Sequence, residues 1–171
     1  MSYIYSRLCV ALVIAFSAVF TGTAKADSYS NQVPMTDGLL LAAVNLADEY
    51  WISTGAIMPD ANVVLYTTNA RETAQADTPG TKIGFTRYYV SNLRKNLAAG
   101  LEVTLRLRTL CNTAVHERGH NLGYGHTDDA IYPNYVMSAT KNNGPRICST
   151  WANALTYQMR KQENSRIFHG F

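Results

Sequence analysis

The chain has 171 residues, and its 15 lysines and arginines against 12 aspartates and glutamates give a formal net charge of +3. The basic residues are scattered along the sequence rather than clustered, which argues against nucleic acid as a partner. A chain of this length is enough for one domain with a substantial hydrophobic core.

The first 26 residues have the pattern of a secretory signal peptide. A basic residue, Arg7, precedes an apolar stretch over residues 8–20, and small residues end the segment at Ala26. The apolar stretch is too short, and too promptly followed by polar residues, to favour a retained membrane anchor, and no other apolar run is long enough to span a bilayer. Cleavage after Ala26 would leave 27–171, with a formal charge of +1. We therefore predict one domain, a monomer, in a secreted or periplasmic protein.

A helical pattern begins at Thr36. The apolar residues form one stripe with a second stripe beside it, and Gly55 lies beyond the end of the pattern; the stripes consist of Leu40, Val44, Ala47 and Trp51, and of Leu39, Ala43, Leu46 and Tyr50. One wide apolar face is predicted for this helix. Asp37 fits the position of its N-terminal cap.

Four segments with strand or loop patterns follow this helix. Asn62–Thr68 contains four consecutive apolar residues and predicts a buried strand, whereas the polar segment 69–81, with its Pro-Gly pair, predicts a loop. Lys82–Val90 is a second strand candidate. Leu101–Arg108 alternates apolar and polar residues with a period of two, which predicts a third strand.

Three of the four histidines of the chain lie in the segment HERGHNLGYGH, residues 116–126. Residues four apart lie on the same face of an α-helix, so His116 and His120 can direct imidazole nitrogens at one ion. Glu117 lies one position round from His116. Its carboxylate is therefore expected beside the metal, where it can hold and deprotonate a zinc-bound water.

Gly123 allows a third histidine to join the first two. A residue without Cβ can adopt positive φ, end the helix and reverse the chain, so that His126 reaches the same ion. Three protein ligands leave a fourth position for water and substrate, which is the arrangement of catalytic zinc. The pattern is too long to arise often by chance. One alternative is that the histidines lie on a helix without binding a metal. Another is a site that binds zinc without catalysis, although Glu117 argues against it.

This segment matches, residue for residue, the H-E-x-x-H-x-x-G-x-x-H consensus of the metzincin metallopeptidases, and the chain resembles that family. Metzincins also carry a methionine in a tight turn beneath the metal. The sequence Val-Met-Ser-Ala at 136–139 looks like that turn, so Met137 is expected to be a packed floor and not a ligand. Matrixins are the most similar subfamily, although Thr127 stands where they usually carry serine.

The resemblance implies one catalytic zinc ion, because the histidines needed for the second, structural zinc of matrixins are missing. Asp128 and Asp129 are candidates for calcium binding, with a solvated acidic turn as the alternative. In some metzincins an aspartate keeps the enzyme inactive. Asp27 and Asp37 are candidates for that role, against an ordinary surface aspartate or, for Asp37, a helix cap.

The fold implied by the resemblance is an α+β domain, a compact metzincin-like catalytic domain with a small twisted sheet, an active-site helix, the Met-turn and a C-terminal helix. Sequence supports the closing helix, since apolar residues recur at one-turn spacing from Ser149 to about Arg166. In that family the substrate lies extended along an edge strand, for which 82–90 is our candidate. Ser138–Pro145 is expected to form one wall of the substrate pocket.

The activity implied is that of an exported zinc endopeptidase with a protein or peptide substrate, in which Glu117 is the general base. Arg118 is interpreted as a surface charge. Two alternatives use the same site: a zinc amidase acting on cell-wall or small-molecule amides, and a secreted module that binds zinc without catalysis.

Two cysteines, Cys111 and Cys148, remain after signal cleavage. In an exported chain they most simply form one disulfide, which would tie the start of the zinc helix to the segment after the Met-turn. The chain-entropy model gives such a link a stabilisation of about 4 kcal/mol. The alternative is two free thiols, with Cys148 exposed.

Overall fold

A small mixed sheet of four strands and four helices make up the described part of the chain, which in this computed structural model is residues 30–68, 72–127, 136–138 and 144–168. The strands are β1 (Ser30–Pro34), β2 (Asn62–Thr67), β3 (Ala74–Ala76) and β4 (Lys82–Thr86); the helices are α1 (Gly38–Ser53), α2 (Arg87–Ala98), α3 (Val103–Asn121) and α4 (Arg146–Phe168). The predicted α+β fold is confirmed. The predicted signal peptide lies outside the described residues.

Helix α1 starts where it does because Asp37 caps it. The Asp37 carboxylate accepts hydrogen bonds from the backbone N–H groups of Leu39 and Leu40, which satisfies two donors that have no partner within the helix. The cap predicted for this residue is confirmed. The predicted apolar face is also confirmed, since its buried residues are Leu40, Ala43, Val44, Ala47 and Trp51.

The strand order in the sheet is β1-β2-β4-β3. β2 and β4 pair in parallel, while β1 and β3 pair antiparallel to their neighbours at the two edges. The prediction that residues 82–90 form an edge strand is therefore wrong, because β4 is internal and β3 is the outer strand on that side. The same segment was expected to remain extended to Val90. It turns into α2 at Arg87 because the Thr86 hydroxyl accepts a hydrogen bond from the backbone N–H of Tyr89.

Strand β3 lies within the segment 69–81, which was predicted to be a loop. The sequence Ala-Gln-Ala has no β-branched or aromatic residue, so its intrinsic strand preference is weak. Pairing with β4 makes it a strand, with Gln75 opposite Gly84. Residues 69–71 of the segment lie outside the described part.

The segment Leu101–Arg108 is helical and not a strand. Helix α3 begins at Val103 and buries Leu107, Leu110 and Cys111, whereas Leu101 and Leu105 remain 53% and 44% exposed. Of the alternating apolar residues only Leu107 is buried, and with Leu110, Cys111, Ala114 and Val115 it follows a helical period. This longer pattern determines the structure, because it gives the helix a buried face from Leu107 onwards.

Helix α4 packs on α3 and is linked to it by the predicted disulfide. Cys148, in the first turn of α4, is bonded to Cys111 in α3 with their Cα atoms 5.4 Å apart, and both residues are fully buried. The alternative of two free thiols is therefore wrong. Cys111 lies within α3 rather than at its start. The disulfide indicates an oxidising, extracytoplasmic environment.

The closing helix is confirmed and starts at Arg146, three residues before the predicted Ser149. The apolar stripe predicted for it consists of Trp151, Leu155 and Met159. Its buried residues include Ala152 and Thr156, one position further along than Trp151 and Leu155, and Met159 is 39% exposed. Among the described residues, no helix combines the length and the hydropathy that crossing a membrane requires.

Candidate metal centre

Helix α3 carries the first two histidines of the motif and ends where the sequence predicts. Its last residue is Asn121, and Gly123 has φ +91°, a conformation that favours glycine. The chain then returns so that the Nε2 atom of His126 lies 3.2 Å from the Nε2 atoms of both His116 and His120. The three predicted ligands are thus brought together at one point.

Backbone carbonyls fix the orientation of two of the three imidazoles. The Nδ1 of His116 lies 2.9 Å from the carbonyl oxygen of Val136, and the Nδ1 of His120 lies 2.7 Å from that of Tyr124. A carbonyl oxygen only accepts hydrogen bonds, so in each ring Nδ1 carries the proton and Nε2 carries the lone pair. Both lone pairs are directed at the point where the rings meet.

This geometry fits a bound cation. Nitrogen atoms held at the usual zinc distance in tetrahedral geometry lie about 3.3 Å apart, close to the 3.2 Å of the two pairs described above. Facing lone pairs at such a distance repel each other unless a proton or a metal ion lies between them. The three histidines can therefore hold a metal ion, and imidazole suits zinc as well as copper, iron and nickel.

Burial keeps the imidazoles of His116 and His120 neutral. It lowers the pKa of His116, and it lowers the pKa of His120 to about 4, because removal from water disfavours the charged ring. The carbonyl hydrogen bonds raise both pKa values by a smaller amount, and the neighbouring histidines lower them further. At neutral pH these lone pairs are available to a metal and not occupied by protons.

Glu117, the neighbour of His116 in the sequence, is a buried acid. Its residue exposure is 8%, and burial raises its pKa to about 8, with a smaller contribution from the nearby Glu72 carboxylate. The converging group of ligand atoms in the described residues consists of the three histidines, so Glu117 is not one of its members. A cation bound at the histidines would favour the ionised carboxylate.

Met137 forms a floor under α3, as predicted. It is 1% exposed, and its carbonyl oxygen accepts a hydrogen bond from the backbone N–H of Thr127 at 3.0 Å. A Cβ atom built on Gly119 would lie 2.3 Å from the Met137 sulfur and 2.8 Å from Trp51. The glycine between the two histidines of the helix therefore allows this close packing.

The interpretation of Arg118 as a surface charge is wrong. Its side chain is fully buried and forms an ion pair with Asp48 of α1, and the guanidinium also donates to the carbonyl oxygen of Pro59 and to Oδ1 of Asn121. A buried guanidinium is tolerated only when its donors have hydrogen-bond partners, and here Asp48, Pro59 and Asn121 are those partners. The sequence around Arg118 shows only that it lies in a helix, which is why its burial was missed.

Asn121 was also missed by the sequence analysis. Its side-chain amide nitrogen donates to the carbonyl oxygens of Asp77 and Lys82, at 3.0 and 2.9 Å. Its backbone carbonyl oxygen accepts from the N–H of Gly80 at 3.1 Å. In sequence it is a polar residue near a helix end, where asparagine ordinarily faces solvent. No local pattern distinguishes the two situations.

Several further predictions fall on residues outside the described part. These are the possible calcium ligands Asp128 and Asp129, the possible inhibitory aspartate Asp27, and most of the expected pocket wall from Ser138 to Pro145. Comparisons with models of protein families, with curated proteins and with solved structures find no match to this chain.

Proposed function

We propose that the protein is an exported zinc endopeptidase of the metzincin type, with zinc held by His116, His120 and His126 and with Glu117 as general base. One observation carries this proposal. Three imidazoles converge through Nε2, and a buried carboxyl group on the helix that carries two of them lies outside the ligand set. Structural zinc sites close with four protein ligands, so three ligands with a separate acid favour catalysis.

Zinc, when bound, would polarise the scissile carbonyl group and acidify the attacking water. Glu117 accepts the proton of that water and delivers it to the nitrogen of the leaving amine. The carbonyl oxygens of Val136 and Tyr124 hold two imidazoles with their Nε2 lone pairs directed at the metal position, which keeps the ligand geometry fixed through turnover. The buried environment of Glu117 strengthens each charge interaction that it makes.

Strand β3 supports a peptide as the substrate. It is the outer strand of the described sheet and it contacts α3, the helix that carries two of the histidines. An extended peptide can add to such an edge by backbone hydrogen bonds, which give affinity without requiring a particular side chain. We therefore assign to β3 the role that the sequence analysis gave to residues 82–90. The disulfide supports export, because it forms in oxidising compartments.

The test is hydrolysis by the purified chain after metal exchange. Protein stripped with a chelator should cleave neither casein nor a complex peptide mixture, and adding about one equivalent of Zn²⁺ should restore cleavage within peptides. Cleavage of amide bonds in peptidoglycan without cleavage within peptides would point to an amidase. Tight zinc binding with no hydrolysis of either substrate would overturn the enzymatic proposal and leave a zinc-binding module.

A further inference from the structure

Glu117 and Asn121 lie one turn apart on α3, so they share a face of the helix. That face is directed at β3. Glu72, two residues before β3, lies within electrostatic range of Glu117, and the turn that follows β3 is hydrogen-bonded to Asn121. Strand β3 therefore runs beside the helix between the proposed base and the asparagine.

Asn121 fastens the turn between β3 and β4 at three points. Its amide donates to the carbonyl oxygens of Asp77 and Lys82, and its backbone carbonyl accepts from Gly80, all within 3.1 Å. The turn is closed by the Asp77 N–H, which donates to the Lys82 carbonyl oxygen at 3.1 Å. One residue with 3% exposure thus ties the turn to the helix that carries His116 and His120, through its side chain at the start and end of the turn and through its backbone carbonyl in the middle.

Asn121 is itself held in one orientation. Its Oδ1 atom accepts a hydrogen bond from the Arg118 guanidinium at 2.8 Å, so the amide nitrogen must face the turn. The ion pair of Arg118 with Asp48 connects this orientation to α1. All hydrogen-bonding atoms of the Asn121 side chain are used, which makes the side chain a rigid connector.

Strand β3 is held at its start by Thr86, whose backbone N–H donates to the carbonyl oxygen of Thr73 at 3.1 Å and whose hydroxyl donates to that of Glu72 at 3.0 Å. It has three residues, two of them alanine, and pairs with β4 along one edge. Small side chains contribute little packing energy, and short strands depend on their connections. The C-terminal end of β3 is therefore positioned mainly by the turn that Asn121 fastens.

We propose that Asn121 is a positioning residue for substrate: it sets β3 at the distance from the metal ligands at which an extended peptide can pair with the strand and reach the reacting centre. This inference rests on the proposed peptidase function. It makes Asn121 important for peptides long enough to lie along β3, and much less important for a substrate that reaches only the metal centre.

The experiment compares a peptide of about ten residues with a short blocked dipeptide amide, using the full zinc-loaded chain. Asn121→Ala removes the amide, and Asn121→Asp keeps the shape but places an acceptor against the two carbonyl oxygens. For both variants we expect the KM of the long peptide to rise about tenfold and its kcat to fall by less than about threefold. The short substrate should lose less than about threefold in kcat/KM.

Asn96→Asp is the matched control, because the Asn96 amide donates only within α2 and is exposed. It should leave both substrates unaffected. Two further measurements do not depend on activity. Cobalt(II) titration should give the same affinity for the Asn121 variants as for the parent chain, whereas amide hydrogen exchange over residues 74–82 should become faster in them alone.

Equal losses on the long and the short substrate, or a loss of cobalt affinity, would show a general structural role and overturn the inference. Unchanged kinetics with unchanged exchange over residues 74–82 would do the same. Failure of the proposed function is visible separately, in the parent chain. A parent that binds cobalt and cleaves neither substrate would overturn both proposals.

Discussion

Gly119 lies directly against Met137, with no room between them for a methyl group. A Cβ atom at position 119 would lie 2.3 Å from the Met137 sulfur, and Trp51 closes the other side at 2.8 Å. The indole N–H of Trp51 donates to the carbonyl oxygen of Val115 at 2.8 Å, so the ring is not free to move away. The backbone of α3 at Gly119 therefore packs directly on the Met137 side chain.

The first prediction is that Gly119→Ala destabilises the protein. Alanine is the better helix former by about 1 kcal/mol, but overlap with Met137 and Trp51 should cost more, giving a net loss of about 1–3 kcal/mol. Gly38→Ala is the control, since nothing lies within 4 Å of a Cβ built at that helical position. Thermal unfolding of both variants measures the difference. A Gly119→Ala variant as stable as the parent would refute the packing argument.

The second prediction separates the roles of Glu117 and His120. Glu117→Ala should keep the metal and the fold while hydrolysis falls by a factor of about a hundred to ten thousand, the usual contribution of a positioned proton shuttle. His120→Ala removes a ligand, so metal content and activity should be lost together. Metal analysis and peptide cleavage on the same samples give both readings, with the exposed Glu49→Ala as control. Loss of zinc from Glu117→Ala equal to that from His120→Ala would falsify the assignment.

The third prediction is that zinc is released in acid. Burial lowers the pKa values of His116 and His120, so the folded state binds fewer protons at these rings than the unfolded chain does. Their contribution to stability is present above the usual pKa of histidine, about 6.5, and is lost as the pH falls, in the case of His120 through its lowered pKa of about 4. Zinc content and activity should decline together below about pH 6. Full zinc occupancy and activity at pH 4 would contradict this.

The fourth prediction concerns the buried ion pair of Arg118 and Asp48. Arg118→Ala leaves a partly buried carboxylate and the Pro59 carbonyl oxygen without their donor, and we expect a loss of about 3 kcal/mol or more. Arg108→Ala on the same helix is exposed and should change stability by less than about 0.5 kcal/mol. Denaturant unfolding of the metal-free chains gives both values. Equal stability of the two variants would mean that the buried pair contributes little.

The fifth prediction concerns alkaline stability and Tyr89. Burial raises the pKa of this tyrosine to about 12, and its hydroxyl group is buried with no hydrogen-bond partner among the described residues. Between its unfolded pKa near 10 and its folded pKa the native state binds more protons than the unfolded chain, so stability falls as the pH rises, by at most about 1.4 kcal/mol per pH unit. Tyr89→Phe should flatten this fall, whereas Tyr88→Phe, with a 77% exposed side chain, should not. Identical pH profiles for the two variants above pH 10 would remove the claim.

The metal motif could be predicted from sequence because it depends on local geometry. Helical spacing relates His116 to His120, and the conformational freedom of Gly123 returns His126 to them. The cap at Asp37 and the apolar face of α1 are local in the same sense. In each case the residues that determine the feature lie within a few positions of one another.

Features that depend on distant partners were missed. The partners of Arg118 lie on α1 and in the segment after it, and those of Asn121 lie in the turn before β4. Strand β3 exists because β4 pairs with it, although its own sequence favours a loop. The helix over Leu101–Arg108 was missed for a different reason, since an eight-residue window contains both periods and only the longer stretch distinguishes them.

The disulfide between Cys111 and Cys148 encloses the part of the chain that contains all three histidines, Glu117 and Met137. A single backbone cut anywhere between the two cysteines would leave the two pieces covalently joined. Such a molecule would keep the mobility of the whole chain on a non-reducing gel. The cut would be visible only after reduction, as two fragments.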